Sequence, residues 1–150
     1  PYALFDRSIS HATYEQQENG KVVFDGIVAL AKACLAAGIP VGLGTDTGCP
    51  FITHYDMWRE LCYFVKFCDV TPVFALHSAT LLNARLAGID HLTGSIEKGK
   101  AADLIVCREN PLEDLTALRK LDMVIKDGWR IDHPAVKKLP QVERELDKFL

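Results

Sequence analysis

A short apolar segment that ends at an acidic residue limits the possible folds of this chain more than any other feature. The segment runs Ile39-Pro40-Val41-Gly42-Leu43-Gly44-Thr45-Asp46, and its core does not alternate apolar with polar residues. Such a pattern is typical of a strand buried on both faces, as in a parallel sheet. No other part of residues 1–90 resembles a parallel neighbour, yet buried backbone groups left unpaired are costly. We therefore expect the chain to be part of something larger, or to be completed by another copy.

Helical periodicity dominates the residues on either side of this segment. Apolar residues recur every three or four positions over about 22–37 and 54–68, after a turn predicted at Glu18-Asn19-Gly20. Thr71-Pro72 is typical of a helix start, and a further helix is predicted over about 80–87. A buried strand between helices predicts an α/β fold.

The pattern changes after about residue 90. Strands and short helices are predicted there, in chain order, over about 102–107, 112–118, 123–126, 129–131 and 141–150. Asp127-Gly128 separates two apolar runs and predicts a two-residue hairpin turn, because both turn positions need positive φ. The charges from Glu143 to Lys148 are interpreted as the solvated face of the terminal helix, and Asp103 as a structural residue that bonds nearby backbone.

Asp46 is the strongest candidate for a chemical role. It directly follows the predicted strand and lies between Gly44 and Gly48, which let a backbone or ligand approach closely. In parallel α/β folds, functional groups gather at the C-terminal ends of strands. A carboxylate there can bind a divalent metal or act as a general base. An Asp that bonds its own turn, or caps the next helix, is the structural alternative.

The triplet Asp46-Thr47-Gly48 raises a different possibility, a homodimeric aspartic protease of the retroviral type. Two such carboxylates sharing a proton would activate water. That class is all-β, however, whereas helices are predicted on both sides of the triplet. The context therefore disfavours it.

Several motifs in a fixed order resemble the amidohydrolase superfamily, and most closely its branch of imidazolonepropionase and the prolidase-like or Xaa-Arg dipeptidases. The stretch from Gly42 to Gly48 resembles the end of the eighth barrel strand in that superfamily. The other matching segments are His54 to Leu61, Thr71 to Thr80, Asn83 to Leu86, Gly94 to Val106, Asn110 to Leu115 and Val124 to Gly128. The resemblance covers residues 22 to 131.

The resemblance implies the C-terminal part of a metal-dependent hydrolase with a (β/α)₈ TIM barrel, plus the C-terminal portion of a small β-sandwich domain. Residues 1–90 would form the last strand and helices of the barrel. Residues 91–150 would form the C-terminal part of the composite β-sandwich, with a terminal helix.

The resemblance also implies the chemistry. A complete enzyme would hydrolyse a C–N bond of an amide or cyclic amide by metal-activated water, using one or two divalent ions, usually zinc. Asp46 would bind metal, take a proton from the hydrolytic water and deliver it to the leaving amine. His54 would contact the substrate, a small amide or dipeptide, with a surface or helix-capping role as the alternative.

The superfamily's His-x-His pair, its bridging Lys and its middle-strand His ligands have no counterparts among these 150 residues. A zinc site takes three or four protein ligands, so the isolated chain is expected to be inactive and to bind zinc weakly. The missing N-terminal part of the same enzyme is the expected partner. An alternative is a non-catalytic module that oligomerises through exposed apolar surface.

Composition narrows the partners and the compartment. The net charge of -3 comes from scattered Lys, Arg, Asp and Glu, which argues against nucleic-acid and membrane partners. The chain starts at Pro1 without a secretory signal. Five cysteines without a C-x-x-C pair indicate reduced thiols and no zinc–cysteine site. We therefore expect a cytoplasmic protein that forms a homo-oligomer.

Overall fold

The computed structural model describes residues 1–150, except for the side chain of Tyr2. The α-helices are α1 (Arg7–Ser10), α2 (Tyr14–Ala36), α3 (Met57–Cys68), α4 (Pro72–His77), α5 (Asn83–Leu86) and α6 (Pro140–Asp147). The strands are β1 (Leu104–Cys107), β2 (Leu121–Lys126) and β3 (Trp129–Asp132). A π-helical turn, Ser78–Leu82, joins α4 to α5, and 3₁₀ turns cover Tyr2–Leu4 and Leu115–Arg119. No helix among these residues combines the length and the apolar character needed to cross a bilayer.

Helix α2 begins eight residues before the predicted start at residue 22. The Thr13 hydroxyl accepts a hydrogen bond from the Gln16 N–H at 3.1 Å, and the Gln16 side chain accepts one from the Thr13 N–H at 2.9 Å. This reciprocal cap satisfies two helix-start donors and nucleates the helix upstream of the predicted turn. The turn prediction at Glu18-Asn19-Gly20 is therefore wrong. Gly20 has a packing reason instead, because a Cβ there would collide with Ala3.

The predicted starts of the later helices are closer to the structure. Helix α3 begins at Met57 instead of residue 54. The Thr71 hydroxyl caps α4 by accepting a bond from the Phe74 N–H at 3.2 Å, with Pro72 as the first helical residue, as predicted. The helix predicted over 80–87 is continuous with α4 through the π-helical turn. Helices α2 and α3 flank the Asp46 triplet, which is inconsistent with an all-β aspartic protease.

Two apolar clusters hold the described elements together. The larger has Leu61, Phe64, Ala75 and Leu115 at its centre, so it joins α3, α4 and the second 3₁₀ turn. The smaller has Phe5, Val142 and Leu146 at its centre, so it joins the N-terminal segment to α6. Helix α2 buries no residue, and its Val22, Ile27 and Leu30 are exposed.

The three strands form an antiparallel sheet in the order β1-β2-β3. Asp127 and Gly128 connect β2 to β3 with φ of 50° and 81°, which confirms the predicted hairpin turn. The Asp103 carboxylate accepts bonds from the Asp127 N–H at 2.8 Å and from Lys126, which lowers the pKa of Asp103 and confirms its structural role. Trp129 remains 80% exposed on this sheet.

Helix α6 lies where a terminal helix is predicted, but the interpretation of its charges as a solvated face is wrong. Glu143 and Glu145 are 6% and 5% exposed. Glu143 faces two arginines of other elements, and Glu145 accepts a bond from the Asp6 N–H at 3.3 Å. These partners lie more than 20 residues away along the chain, so helical periodicity alone does not reveal them.

Candidate active site

The segment that carries Asp46 is extended but pairs with no strand among the described residues. Val41 and Leu43 are half-buried against the larger apolar cluster, while Gly42 and Gly44 are exposed. The prediction of burial on both faces is therefore wrong within this chain, where only one face is covered.

The Asn83 side chain takes the place of a neighbouring strand at one point of this segment. Its amide oxygen accepts a bond from the Leu43 N–H at 2.9 Å, and its amide nitrogen donates to the Leu43 carbonyl at 2.7 Å. A Cβ on Gly42 would collide with the Asn83 oxygen, so glycine permits this approach. The segment leading to Asp46 is thus tied to α5.

Asp46 adopts a left-handed backbone conformation with φ of 51°. Asp tolerates this region better than most residues, and such conformations are common at functional sites. The side chain is exposed, and its carboxylate makes no hydrogen bond or ion pair with the described residues. The two structural alternatives, a bond to its own turn and a cap on the next helix, are therefore not seen. Asp56, not Asp46, is the N-cap residue of α3.

His54 lies in the loop before α3 and is exposed. Its ring packs edge-on against Tyr55, with centroids 5.3 Å apart. The described contacts do not bring His54 and Asp46 together. The metal-binding and proton-transfer role of Asp46 and the substrate contact of His54 stay predictions.

The loop between Asp46 and α3 is held by residues that the sequence patterns do not single out. The Thr53 hydroxyl donates to the Asp56 carboxylate at 2.5 Å, and the other Asp56 oxygen lies 3.2 Å from the Arg59 Nε. Phe51 has a left-handed backbone, with φ of 65°, and packs on Phe5 at 5.6 Å between ring centroids. A cavity of about 60 Å³ lies between this loop and α3. The Asp56 and Arg59 spacing of i, i+3 at a helix start was the available signal.

Of the residues that the structure describes, only Asp46 is a candidate metal ligand of this site. Among the described residues, no group of three or more His, Cys, Asp or Glu side chains could hold an ion. The Asp46 carboxylate, which has no partner in the described part of the chain, is a suitable hard oxygen donor, whereas zinc usually takes three or four protein ligands. Burial raises the pKa of the Cys62 thiol to about 11, which disfavours a thiolate ligand there.

A family profile, a solved structure and curated sequences all match this chain. The sequence profile of the amidohydrolase family matches residues 15–130. The crystal structure of a candidate prolidase from Bifidobacterium longum superposes with a TM-score of 0.92 at 40% identity, covering 97% of this chain and 36% of that one. Aspergillus niger ochratoxinase is 35% identical over 91 residues, which are 59% of this chain and 18% of the enzyme. Imidazolonepropionase from Geobacillus kaustophilus is 33% identical over 76 residues, 51% of this chain and 18% of the enzyme.

The chain thus spans about a fifth of the length of these curated relatives. The superposition is consistent with a mixed α/β fragment of the amidohydrolase fold.

Proposed function

Because the chain belongs to the amidohydrolase family, we propose that it is the C-terminal part of a metal-dependent hydrolase that cleaves C–N bonds in small amides or dipeptides. The prolidase-like, imidazolonepropionase and ochratoxinase relatives support this class of enzyme. The observation that carries the proposal is the exposed Asp46 carboxylate, free of partners among the described residues, at the end of a half-buried extended segment. A carboxylate without structural partners is available for chemistry.

The proposal assigns residues 1–90 to the last strand and helices of a TIM barrel and residues 91–150 to a composite β-sandwich with a terminal helix. Exposed apolar surface supports both assignments. Helix α2 buries none of its residues within this chain, and the sheet exposes Ile105, Trp129 and Ile131. Extensive apolar exposure of this kind indicates a surface covered by further protein.

In the proposed mechanism, Asp46 provides one oxygen ligand to a divalent ion, proposed to be zinc. When bound, the ion supplies Lewis-acid polarisation of the scissile carbonyl and lowers the pKa of water toward neutrality. The Asp46 carboxylate accepts the proton of the attacking water and returns it to the leaving nitrogen. The Asp46 carboxylate is exposed and has no partner among the described residues, so it is available for this role. His54, exposed in the following loop, is proposed to contact the substrate.

The test compares two Asp→Asn variants in the complete gene product that contains this sequence. Asp46→Asn removes the negative charge and the proton acceptor, so kcat is expected to fall by about 10²- to 10⁴-fold on dipeptides and N-acyl amino acids. Asp69→Asn is the matched control, because Asp69 is also exposed with a left-handed φ of 58°. Its exposed ion pair with Lys32 contributes little, so activity should stay near the wild-type value.

Full activity in Asp46→Asn, or an equal loss in both variants, would refute the assignment. The isolated 150 residues should show no turnover and no tightly bound zinc. Stoichiometric metal with turnover in this chain alone would contradict the proposal that the other ligands lie elsewhere.

A non-catalytic oligomerising module is the second candidate, favoured by the same exposed apolar residues of α2 and the sheet. Light scattering on the complete gene product distinguishes the two. A defined homo-oligomer without hydrolase activity on the substrate panel would support the module, and an active protein that responds to Asp46→Asn would exclude it.

A further inference from the structure

Arg59 of α3 is an almost completely buried charge, with 1% of its surface exposed. Its guanidinium donates to the Glu143 carboxylate at 2.8 Å and also to Asp147, both on α6. Its Nε lies 3.2 Å from Asp56, three residues earlier in the chain. A buried charge is tolerated only when it is paired in this way, so its partners are tightly coupled to it.

The surroundings keep this guanidinium charged. Burial lowers the pKa of Arg59, but bonding to Asp147 and the charges of Asp56 and Glu143 outweigh it and raise the pKa overall. Arg119 reaches the same α6 carboxylates at 3.3 and 3.0 Å. The Trp58 ring lies 4.5 Å from Arg59. This cluster fixes α6 against the start of α3.

The same cluster continues into the loop that carries the candidate site. One Asp56 oxygen forms an ion pair with the Arg59 Nε, and the other accepts a hydrogen bond from the Thr53 hydroxyl. A second contact runs in parallel, since Phe51 packs against the apolar cluster of Phe5 with Val142 and Leu146 of α6. Helix α6 therefore reaches the loop 47–53 through a polar chain and an apolar contact.

We propose that Arg59 is a positioning residue, through which α6 holds the loop between Asp46 and His54 in place. Its consequence for catalysis rests on the proposed function, whereas the order of the loop does not. The polar contacts run from Glu143 of α6 through Arg59 and Asp56 to Thr53 of the loop.

The experiment measures hydrogen exchange by mass spectrometry in the complete gene product, on a peptide containing the Ile52 and Asp56 amides. These amides bond the Cys49 and Thr53 carbonyls at 3.2 and 3.3 Å, so they report on loop order. Glu143→Gln is expected to speed their exchange by about tenfold, because it leaves Arg59 short of a partner. Thr53→Ala should also speed the exchange of these amides, although it changes no contact of α6.

Glu145→Gln is the matched control on the same helix. Glu145 is as buried as Glu143, but it bonds the Asp6 N–H and Lys148, not Arg59. A merely structural role of α6 would make both glutamate variants loosen the loop equally. Positioning through Arg59 requires that Glu143→Gln loosens it and Glu145→Gln does not.

Kinetics provide the second readout. Both Glu143→Gln and Thr53→Ala should lower kcat by about tenfold with a smaller change in KM, since misplacing a proton acceptor mainly affects the chemical step. Arg59→Lys should retain more loop order than Arg59→Met, because lysine keeps the positive charge although it lacks the planar guanidinium. The proposal is overturned if the Ile52 and Asp56 amides exchange at the wild-type rate in both Glu143→Gln and Thr53→Ala. It is also overturned if these amides exchange faster while kcat stays unchanged in an enzyme that Asp46→Asn inactivates. If Asp46→Asn is fully active, the proposed function fails while the exchange data still decide whether Arg59 holds the loop.

Discussion

Replacing Asn83 with alanine tests how the segment before Asp46 is held without a paired strand. The Asn83 amide makes two hydrogen bonds to Leu43, one to its N–H and one to its carbonyl. Each backbone group left unpaired in a partly buried site costs about 1–3 kcal/mol, so the two groups of Leu43 together cost about 2–6 kcal/mol. Because Leu43 is only half-buried, we expect the lower part of this range, a loss of about 2–4 kcal/mol in the opening free energy of this segment.

The assay is amide hydrogen exchange at Leu43 in the complete gene product. A loss of about 2 kcal/mol corresponds to roughly thirtyfold faster exchange when the amide is protected by local closure. The sheet amides of β2 and β3 lie in other elements and should be unaffected.

Asn110→Ala is the matched control for this substitution. The Asn110 amide also makes two bonds, donating to Glu113 at 3.1 Å and accepting from the Leu112 N–H at 3.0 Å, but on the exposed surface. Water replaces those partners, so the loss should be below about 1 kcal/mol. If both variants lose the same stability, or if Leu43 exchange is unchanged in Asn83→Ala, the proposed strand-like role of Asn83 is wrong.

Three further predictions concern packing, thiol reactivity and pH. Gly42→Ala should lower the free energy of unfolding by about 1–3 kcal/mol, because the added methyl group overlaps the side chains of Asn83 and Leu86. Gly44→Ala should leave it unchanged, because a methyl group there has open space around it. At pH 8, iodoacetamide should label exposed Cys49 well before Cys62, whose thiol pKa is raised to about 11 by burial; equal labelling would contradict this. The pKa of Asp147 is lowered, since bonds from two arginines outweigh the opposing effect of burial, so its stabilisation is present at neutral pH and lost as pH falls. Urea unfolding should show the wild-type advantage over Asp147→Asn shrinking below about pH 4 and constant above it.

Local patterns were sufficient wherever neighbours in sequence decide the structure. Thr71-Pro72 begins α4 and Asp127-Gly128 forms the hairpin turn, because capping and positive φ depend on a few adjacent residues. The reciprocal cap of Thr13 and Gln16 was also available as a signal, and it outweighs the Asn19-Gly20 turn pattern.

Patterns failed where distant parts of the chain meet. The charges of α6 fit an exposed helical face equally well, until α3 places Arg59 against Glu143. The segment before Asp46 has the composition of a strand buried on both faces, yet among the described residues it is only half-buried and bonds the Asn83 side chain instead of a strand. No local rule identifies a partner 40 residues away.

The sequence by itself determined the family, the α/β character and the choice of Asp46 as the candidate carboxylate, because ordered motifs and an apolar segment that ends in a glycine-flanked Asp are local properties. Only the tertiary structure decided that Asp46 has no structural partner among the described residues. It also decided that Arg59 pairs with Glu143 of α6 and with Asp56, the residue that precedes α3. Burial and ion pairing arise when separate elements pack together. Their effects therefore depend on distances in space that sequence spacing does not contain.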